Sequence, residues 1–452
     1  MKFARTILLT TALAAALALS SCNSLPSLPG FGGNSAAEKE AEDKAGRLAM
    51  VLDEERVAPE PGLAGVPIEL PAAVAVEAWP ESGGSASKVA GHVIAAPELK
   101  IDWRRSAGKG STRKAALTAT PVTDGNLIFV LDSLQTVRAM RLSDGGAVWT
   151  EKLKGLSRRD KGAIGGGIAV TGDTVIVASG YGYVAALDKA SGDQKWQRAL
   201  GAPMTGSPTV ADGRIFVSSN NNEIFALDLA TGQTLWSDQA ISETARVLGS
   251  TSAAAVEEFV IAPFSSGEII AYLASNGRRL WTDAIQQAGG FTPISEINDI
   301  GSRPVLGAGL VFASNQSGAT VAIDGRTGNR LWGKAIGSTR APALAGRYLF
   351  VIGLNGELAC LDAQNGDAFW VTDLPQFKNE EKKKNRISYT SPIVASDRVI
   401  TVSSEGELLA FSTQTGQQTA SLKLGDTVYL EPIVAQGKLY VLTDKARLIA
   451  IR

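Results

Sequence analysis

The chain has 452 residues, 44% apolar and 20% charged, with 48 glycines, one histidine and a formal net charge of −1. Near-neutral charge leaves no electrostatic footprint for nucleic acid. One histidine excludes a multi-histidine metal site and leaves no Ser-His-Asp arrangement that the sequence can nominate.

Residues 1–21 read as an export signal. Lys2 and Arg5 form a positive start, and Ile7 to Leu19 form an apolar run too short for a permanent membrane helix. The segment ends Leu19-Ser20-Ser21-Cys22, which resembles a bacterial lipobox, so Cys22 is expected to be acylated and to become the mature N-terminus. More than one acyl chain there would give durable membrane attachment. Asn23, not Asp, follows the cysteine, and within bacterial lipoproteins that implies sorting to the periplasmic face of the outer membrane. Residues 22–97, rich in Pro, Gly, Ser and Ala, read as a lipid-anchored, partly disordered tether, with a short helix expected over Glu38 to Val57. His92 is expected to be an ordinary loop histidine. Cys360 has no partner cysteine and is expected to be a small buried residue.

From about residue 98 to Arg452 a repeat takes over. Ala226-Leu-Asp-Leu-Ala-Thr-Gly-Gln-Thr-Leu-Trp236 has near-copies ending at Trp149, Trp196, Trp281, Trp332 and Trp370, and a decayed copy ending at Ala420. A period near 40–50 residues is that of a propeller. The glycine four residues before each tryptophan sits where a hairpin needs positive φ, and Asp188, Asp228, Asp324 and Asp362 are expected to bond the same turn. Each unit opens on an X-Pro pair such as Thr120-Pro121 or Ser391-Pro392, a position where proline costs no ladder bond. The tryptophans read as structural staples on the fourth strand, not as a ligand cage.

Seven outer-strand positions are complete, and the chain stops after the third strand of an eighth unit. An orphan strand, Leu99-Lys-Ile-Asp-Trp103-Arg, precedes the first unit and carries a tryptophan at the right place. The expected fold is therefore all-β: an eight-bladed propeller of four-stranded antiparallel blades, closed by the N- and C-terminal strands in the last blade.

Three crossovers are longer than packing requires: 237–250, 282–301 and 371–389. Long loops on a rigid scaffold are where binding concentrates. The third holds Lys378-Asn-Glu-Glu-Lys-Lys-Lys-Asn-Arg386 and reads as a solvated charged loop, with phosphate headgroups or an acidic partner as alternatives. No HExxH, CxxC pair or P-loop is present, so no catalytic, cofactor-binding or metal-ligating residue is nominated.

With its repeat, the chain resembles the pyrroloquinoline-quinone-type propellers, and with its lipobox it resembles the BamB-type outer-membrane assembly lipoproteins. That resemblance implies a non-catalytic scaffold without cofactor or small-molecule substrate. Its partner would be the periplasmic part of the central barrel-insertion subunit, bound through crossovers between blades. The family's Leu-Arg contact motif lands on Leu248-Gly249, where the arginine is lost, with Arg246 and Val247 beside it. The family's Asp-x-Asp lands on Asp299-Ile300-Gly301, which keeps one acid of two. Arg246, Val247, Leu248, Asp299 and Ile300 are the partner-binding expectation. The alternative is a periplasmic quinoprotein dehydrogenase; those enzymes usually carry adjacent cysteines and a calcium site, whereas this chain has only Cys22 and Cys360.

Overall fold

The computed structural model describes residues 56–158, 160, 162–241, 251–285 and 300–452. The expected short helix at 38–57 therefore lies almost wholly outside the described residues. So do the lipidation residue Cys22 and the partner-binding candidates Arg246, Val247, Leu248 and Asp299.

Eight four-stranded antiparallel blades follow one another, as the repeat count requires. Blade 1 is typical: Val122–Thr123 innermost, then Leu127–Leu131, Thr136–Arg141 and the outermost strand Ala147–Lys152. The eighth blade takes Ile433–Ala435, Lys438–Leu442 and Arg447–Ile451 from the C-terminus and Ile101–Ser106 from the N-terminal side. Ile101 pairs with Ile451 and Trp103 with Ala450, and Lys100 and Arg452 exchange two main-chain hydrogen bonds of 2.9 Å. Pairing the two ends leaves no blade with a missing outer strand.

The repeat frame has a packing reason at each position. In every blade a β-bulge falls just before the tryptophan position, so the preceding residue is left out of the ladder. The small residue of the repeat is the cross-strand partner of the tryptophan: Ala139 faces Trp149, Ala226 faces Trp236, and Cys360 faces Trp370. A larger side chain there would occupy the space of the indole. Cys360 is fully buried, and burial drives its thiol well above the ordinary range, so it stays protonated and inert.

Each indole reaches into the next blade. Trp149 Nε1 donates to Lys189 O (2.8 Å), Trp236 to Ala274 O (2.9 Å), Trp281 to Gly325 O (2.9 Å), Trp332 to Ala363 O (3.0 Å) and Trp370 to Thr413 O (2.8 Å), and Trp196 to Leu229 O (3.2 Å). The repeat glycine of that next blade lies on the ring. A Cβ at Gly277 would stand 2.6 Å from Trp236, and one at Gly366 would stand 2.8 Å from Trp332. These glycines need both the absent side chain and the positive φ (73° and 76°). Trp103 of blade 8 packs on Gly145 of blade 1 in the same way, which seals the ring. Where the repeat carries its Asp, that side chain caps the turn: Asp228 Oδ1 accepts from Thr231 N and Oγ1, and Asp324 Oδ1 from Thr327 N and Oγ1. Ion pairs repeat the same blade-to-blade direction, with Arg279 on Asp238 (2.6 Å) and Arg330 on Asp283 (2.8 Å).

The decayed copy at Ala420 now has a cause. Blade 8 receives its outer strand from the other end of the chain, so it has no Thr-Gly turn between its third and fourth strands. Blade 7 precedes it, has nothing for an indole to cover, and carries Ala420 at that place.

Residues 56–97 differ from the expected loose tether, because they lie on the propeller. The segment passes Ala368 in blade 6 (Glu60 N to Ala368 O, 2.8 Å) and Gln414 in blade 7, which bonds the main chain of Ile68 on both sides. It then circles the innermost strands. Val76 O accepts from Gln436 N in blade 8, and Trp79 exchanges two main-chain bonds with Thr123 in blade 1. Pro80 O takes Val170 N in blade 2, Ala86 O takes Ala255 N in blade 4, and Ser87 O takes Leu306 N in blade 5. His92–Val93 adds a parallel strand to Ile393–Ala395 of blade 7, and Ala96 returns to Gly437 of blade 8. An innermost strand has an unpaired edge facing the channel, and this belt supplies the missing partners. Trp79, Val93, Ala95 and Ala96 are buried in the same core as blades 7, 8 and 1. His92 is likewise a buried strand residue and not a loop histidine. Its Nδ1 lies 2.7 Å from Pro71 O and its Nε2 accepts from Asp397 N (3.0 Å), the arrangement of the neutral Nδ1–H tautomer.

Candidate functional site: the crossover face and its central recess

The two faces of the disc are chemically different. The turns after the first and third strands of each blade lie on one face, and the belt is bonded to that face: Pro71 sits on Gly346, Glu77 O beside Gly125, and Val76 O on Gln436. The crossovers and the turns after the second strands lie on the other face. Five exposed large apolar side chains lie there, against Val66, Val74 and Ile94 on the belt itself. Leu156 (49%) and Ile164 belong to the crossover from blade 1 to blade 2, Ile241 (63%) to that from blade 3 to blade 4, and Tyr429 to that from blade 7 to blade 8, with Leu134 on a neighbouring turn.

The basic segment on this face is ordered. Phe377–Asn379 and Lys384–Arg386 pair as a small antiparallel hairpin where a solvated loop was expected. Arg386 lies over the Phe377 ring (5.9 Å) and donates to Leu354 O, and Lys378 pairs with Glu405 (2.6 Å). Lys382, Lys383 and Lys384 stay exposed.

Of the expected partner residues, Ile300 alone is described. It is fully buried in the cluster of Trp281, Ile285 and Leu306, so its side chain packs the joint between blades 4 and 5 and does not face a partner. Ile300 lies at the end of the crossover, just ahead of the inner strand Val305–Gly307, where an apolar side chain turns into the core. All seven tryptophans named from the sequence stand at the joints between blades.

One crossover residue stabilises the ring by charge. Asp426, between blades 7 and 8, is buried and paired with Arg447 and with Lys445 (3.1 Å). Burial favours the protonated form, but the hydrogen bonds and charges of Arg447 and Lys445 outweigh it and hold the carboxyl below the usual aspartate range. A carboxyl held below its unfolded value stabilises fully above that value, about 3.9, and the contribution is lost as pH falls through the folded value. Asp426→Asn is therefore expected to lower the melting temperature at pH 7, with the gap to the parent narrowing below about pH 4. Thermal melts across pH 3–8 check this; a gap independent of pH would show that the charge is not what matters.

At the centre of the crossover face is a recess of about 310 Å³, walled by the entry ends of the inner strands of blades 1, 5, 6, 7 and 8 and reaching Ser82 of the belt. Arg303 and Glu431 of its wall form an ion pair (2.7 Å), and beside them, in an adjoining smaller cavity, Lys88 pairs with Glu81 (2.6 Å), all four side chains largely buried. Ser82 Oγ donates to Glu431 Oε1 (3.2 Å), which ties belt and wall together. Burial drives the Lys88 ammonium below its ordinary range, against the Glu81 carboxylate that stabilises its charge. Among the described residues, no group of three or more His, Cys, Asp or Glu is placed to hold a metal ion.

A model of the family described as "Outer membrane protein assembly factor BamB" matches residues 133–372 and 376–452. The chain belongs to this family. BamB proteins of Yersinia pestis (26% identical, 71% of this chain and 81% of theirs) and Salmonella typhimurium (26%, 77% and 88%) are among its relatives. The crystal structure of BamB from Moraxella catarrhalis superposes with a TM-score of 0.64 at 17% identity, over 76% of this chain and 98% of that one. A quinohemoprotein alcohol dehydrogenase from Comamonas testosteroni superposes with a TM-score of 0.63 at 14% identity, over 84% and 81%. At these identities the structural likenesses show the fold alone. BamB membership rests on the family match, which starts at residue 133 and so leaves out the belt.

The belt, the apolar crossover residues Leu156 and Ile241, and Arg340 in the recess wall were missed by sequence reasoning. The belt's one signal is the isolated Trp79. The others carry none, since exposure in a crossover is not written in composition.

Proposed function

We propose that this protein is a non-catalytic adaptor of outer-membrane protein assembly, which holds the periplasmic part of the central barrel-insertion subunit on its crossover face. It is an assembly factor and not an enzyme, in line with its curated relatives. The observation that supports the docking face is the asymmetry of the disc. One face is covered by the chain's own belt, while the other presents Leu156, Ile164, Ile241 and Tyr429 around a central recess. Apolar anchors on a rigid ring suit a partner interface, where a few residues carry most of the binding energy. An acylated Cys22 would keep both proteins at the periplasmic face of the outer membrane, with 1–21 removed as signal. Arg246, Val247, Leu248 and Asp299 remain proposed contacts. Photo-crosslinkers placed at Leu156 and Ile241 in intact envelopes are expected to capture that subunit, and capture should fail in a Leu248→Glu/Asp299→Arg background.

A further inference from the structure

The ion pairs in and beside the central recess are charge-balanced, and Arg340 in its wall is not. Lys88 is matched by Glu81 and Arg303 by Glu431. Arg340, at the entry to blade 6, has no carboxylate within ion-pair distance among the described residues. Its one side-chain hydrogen bond runs from Nη1 to Tyr429 O (3.2 Å). The side chain is half-buried in the recess wall, and among the described residues the carboxylate whose charge reaches it, Glu431, is already held by Arg303 and Ser82. A guanidinium does not give up its proton in a protein, so a charged group faces the recess with no carboxylate of the described residues bound to it. With Nη1 occupied, the Nε–Nη2 edge remains, a planar fork with the spacing of a carboxylate. Around it, the hydroxyls of Thr120, Thr339 and Ser391 line the wall with no protein acceptor among the described residues. The volume is at the small end of ligand sites, enough for a small organic acid or one acidic side chain with its flanking backbone.

We propose that the recess is a carboxylate-binding site, with Arg340 as its anion-holding residue and the wall hydroxyls as additional donors. The carboxylate belongs either to a free small acid or to an acidic side chain of a segment docked on the crossover face. The second source rests on the adaptor reading, and the first does not.

The test is calorimetric titration of the full lipidated chain in detergent, at constant ionic strength, with three probes: succinate, the blocked peptide acetyl-Gly-Glu-Gly-amide, and its Gln counterpart. At least one carboxylate probe is expected to saturate a single site. Arg340→Gln should weaken it roughly ten- to hundredfold, the usual worth of a charged hydrogen-bonded pair. Arg340→Lys should retain part of the affinity, and Lys384→Gln on the exposed hairpin should leave it unchanged. Tighter binding of succinate assigns a free acid. Tighter binding of the Glu peptide, lost in the Gln peptide, assigns a partner's side chain, and it does so even if the barrel-insertion subunit proves not to be that partner. Absence of saturation by either carboxylate probe, or equal affinity of the parent and a folded Arg340→Gln protein, overturns the proposal.

Discussion

Trp236→Ala should lower the stability of the propeller by about 3–5 kcal/mol, the range for truncating a buried aromatic side chain. Three losses coincide at this residue. The ring is 9% exposed and packs between Phe216 of its own blade (6.0 Å between centroids) and Tyr272 of the next (5.6 Å). Its Nε1 bond to Ala274 O disappears and leaves a buried carbonyl without that donor. The Gly277 turn loses the surface on which it rests. In a repeat array each blade contacts only its neighbours, so the damage should centre on the joint of blades 3 and 4. Gly277→Ala attacks the same joint from the other side, because its Cβ would meet the indole at 2.6 Å on a backbone with φ of 73°. Leu235→Ser, at the exposed bulge residue next door, is the control and should change stability by less than about 0.5 kcal/mol. Denaturant titration with tryptophan fluorescence reads all three. If Leu235→Ser costs as much as Trp236→Ala, the staple account is wrong.

Removing the belt, residues 56–96, should destabilise the protein more than any single tryptophan. The deletion takes away Trp79, itself 2% exposed, together with Val93, Ala95 and Ala96, and it unpairs the channel edge of several blades at once. Trp79→Ala alone should cost about 3–5 kcal/mol. The discriminating readout is amide hydrogen exchange. The N–H groups of Val170, Ala255, Leu306, Ser396 and Gln436 donate to belt carbonyls, so their exchange should accelerate in the deletion while Phe312 and Phe350, in second strands, stay protected. Uniform acceleration would mean global unfolding without a specific role for the belt. No acceleration at those five amides would mean that the belt is not bonded there.

The propeller itself was legible because its signals are local and repeated. Gly at positive φ, Asp capping the same turn, a small residue facing Trp and Pro at strand entry recur in most blades, so a copy that lacks one is corrected by its neighbours. Even the absent tryptophan at Ala420 follows from where the ring is joined. The belt was not legible, because its partners are the edges of strands up to some 350 residues away, as with Gln436 for Val76. Such main-chain pairing selects no side-chain pattern, and a Pro- and Gly-rich stretch is as compatible with it as with a tether. Ile300 shows the opposite failure: a motif position was transferred by alignment, while its burial depended on a tertiary joint. The charge balance of the recess was not legible, since Arg303, Arg340 and Glu431 come from separate parts of the chain.

The adaptor reading depends on one face being available and the other being covered. Photo-crosslinking in intact envelopes tests this directly, with the reactive group placed in turn at Leu156 and Ile241 on the crossover face and at Val66 on the belt. The first two positions should yield a conjugate with the central barrel-insertion subunit, and Val66 should yield none. Capture from Val66 alone, or no such conjugate from any of the three, would contradict the account.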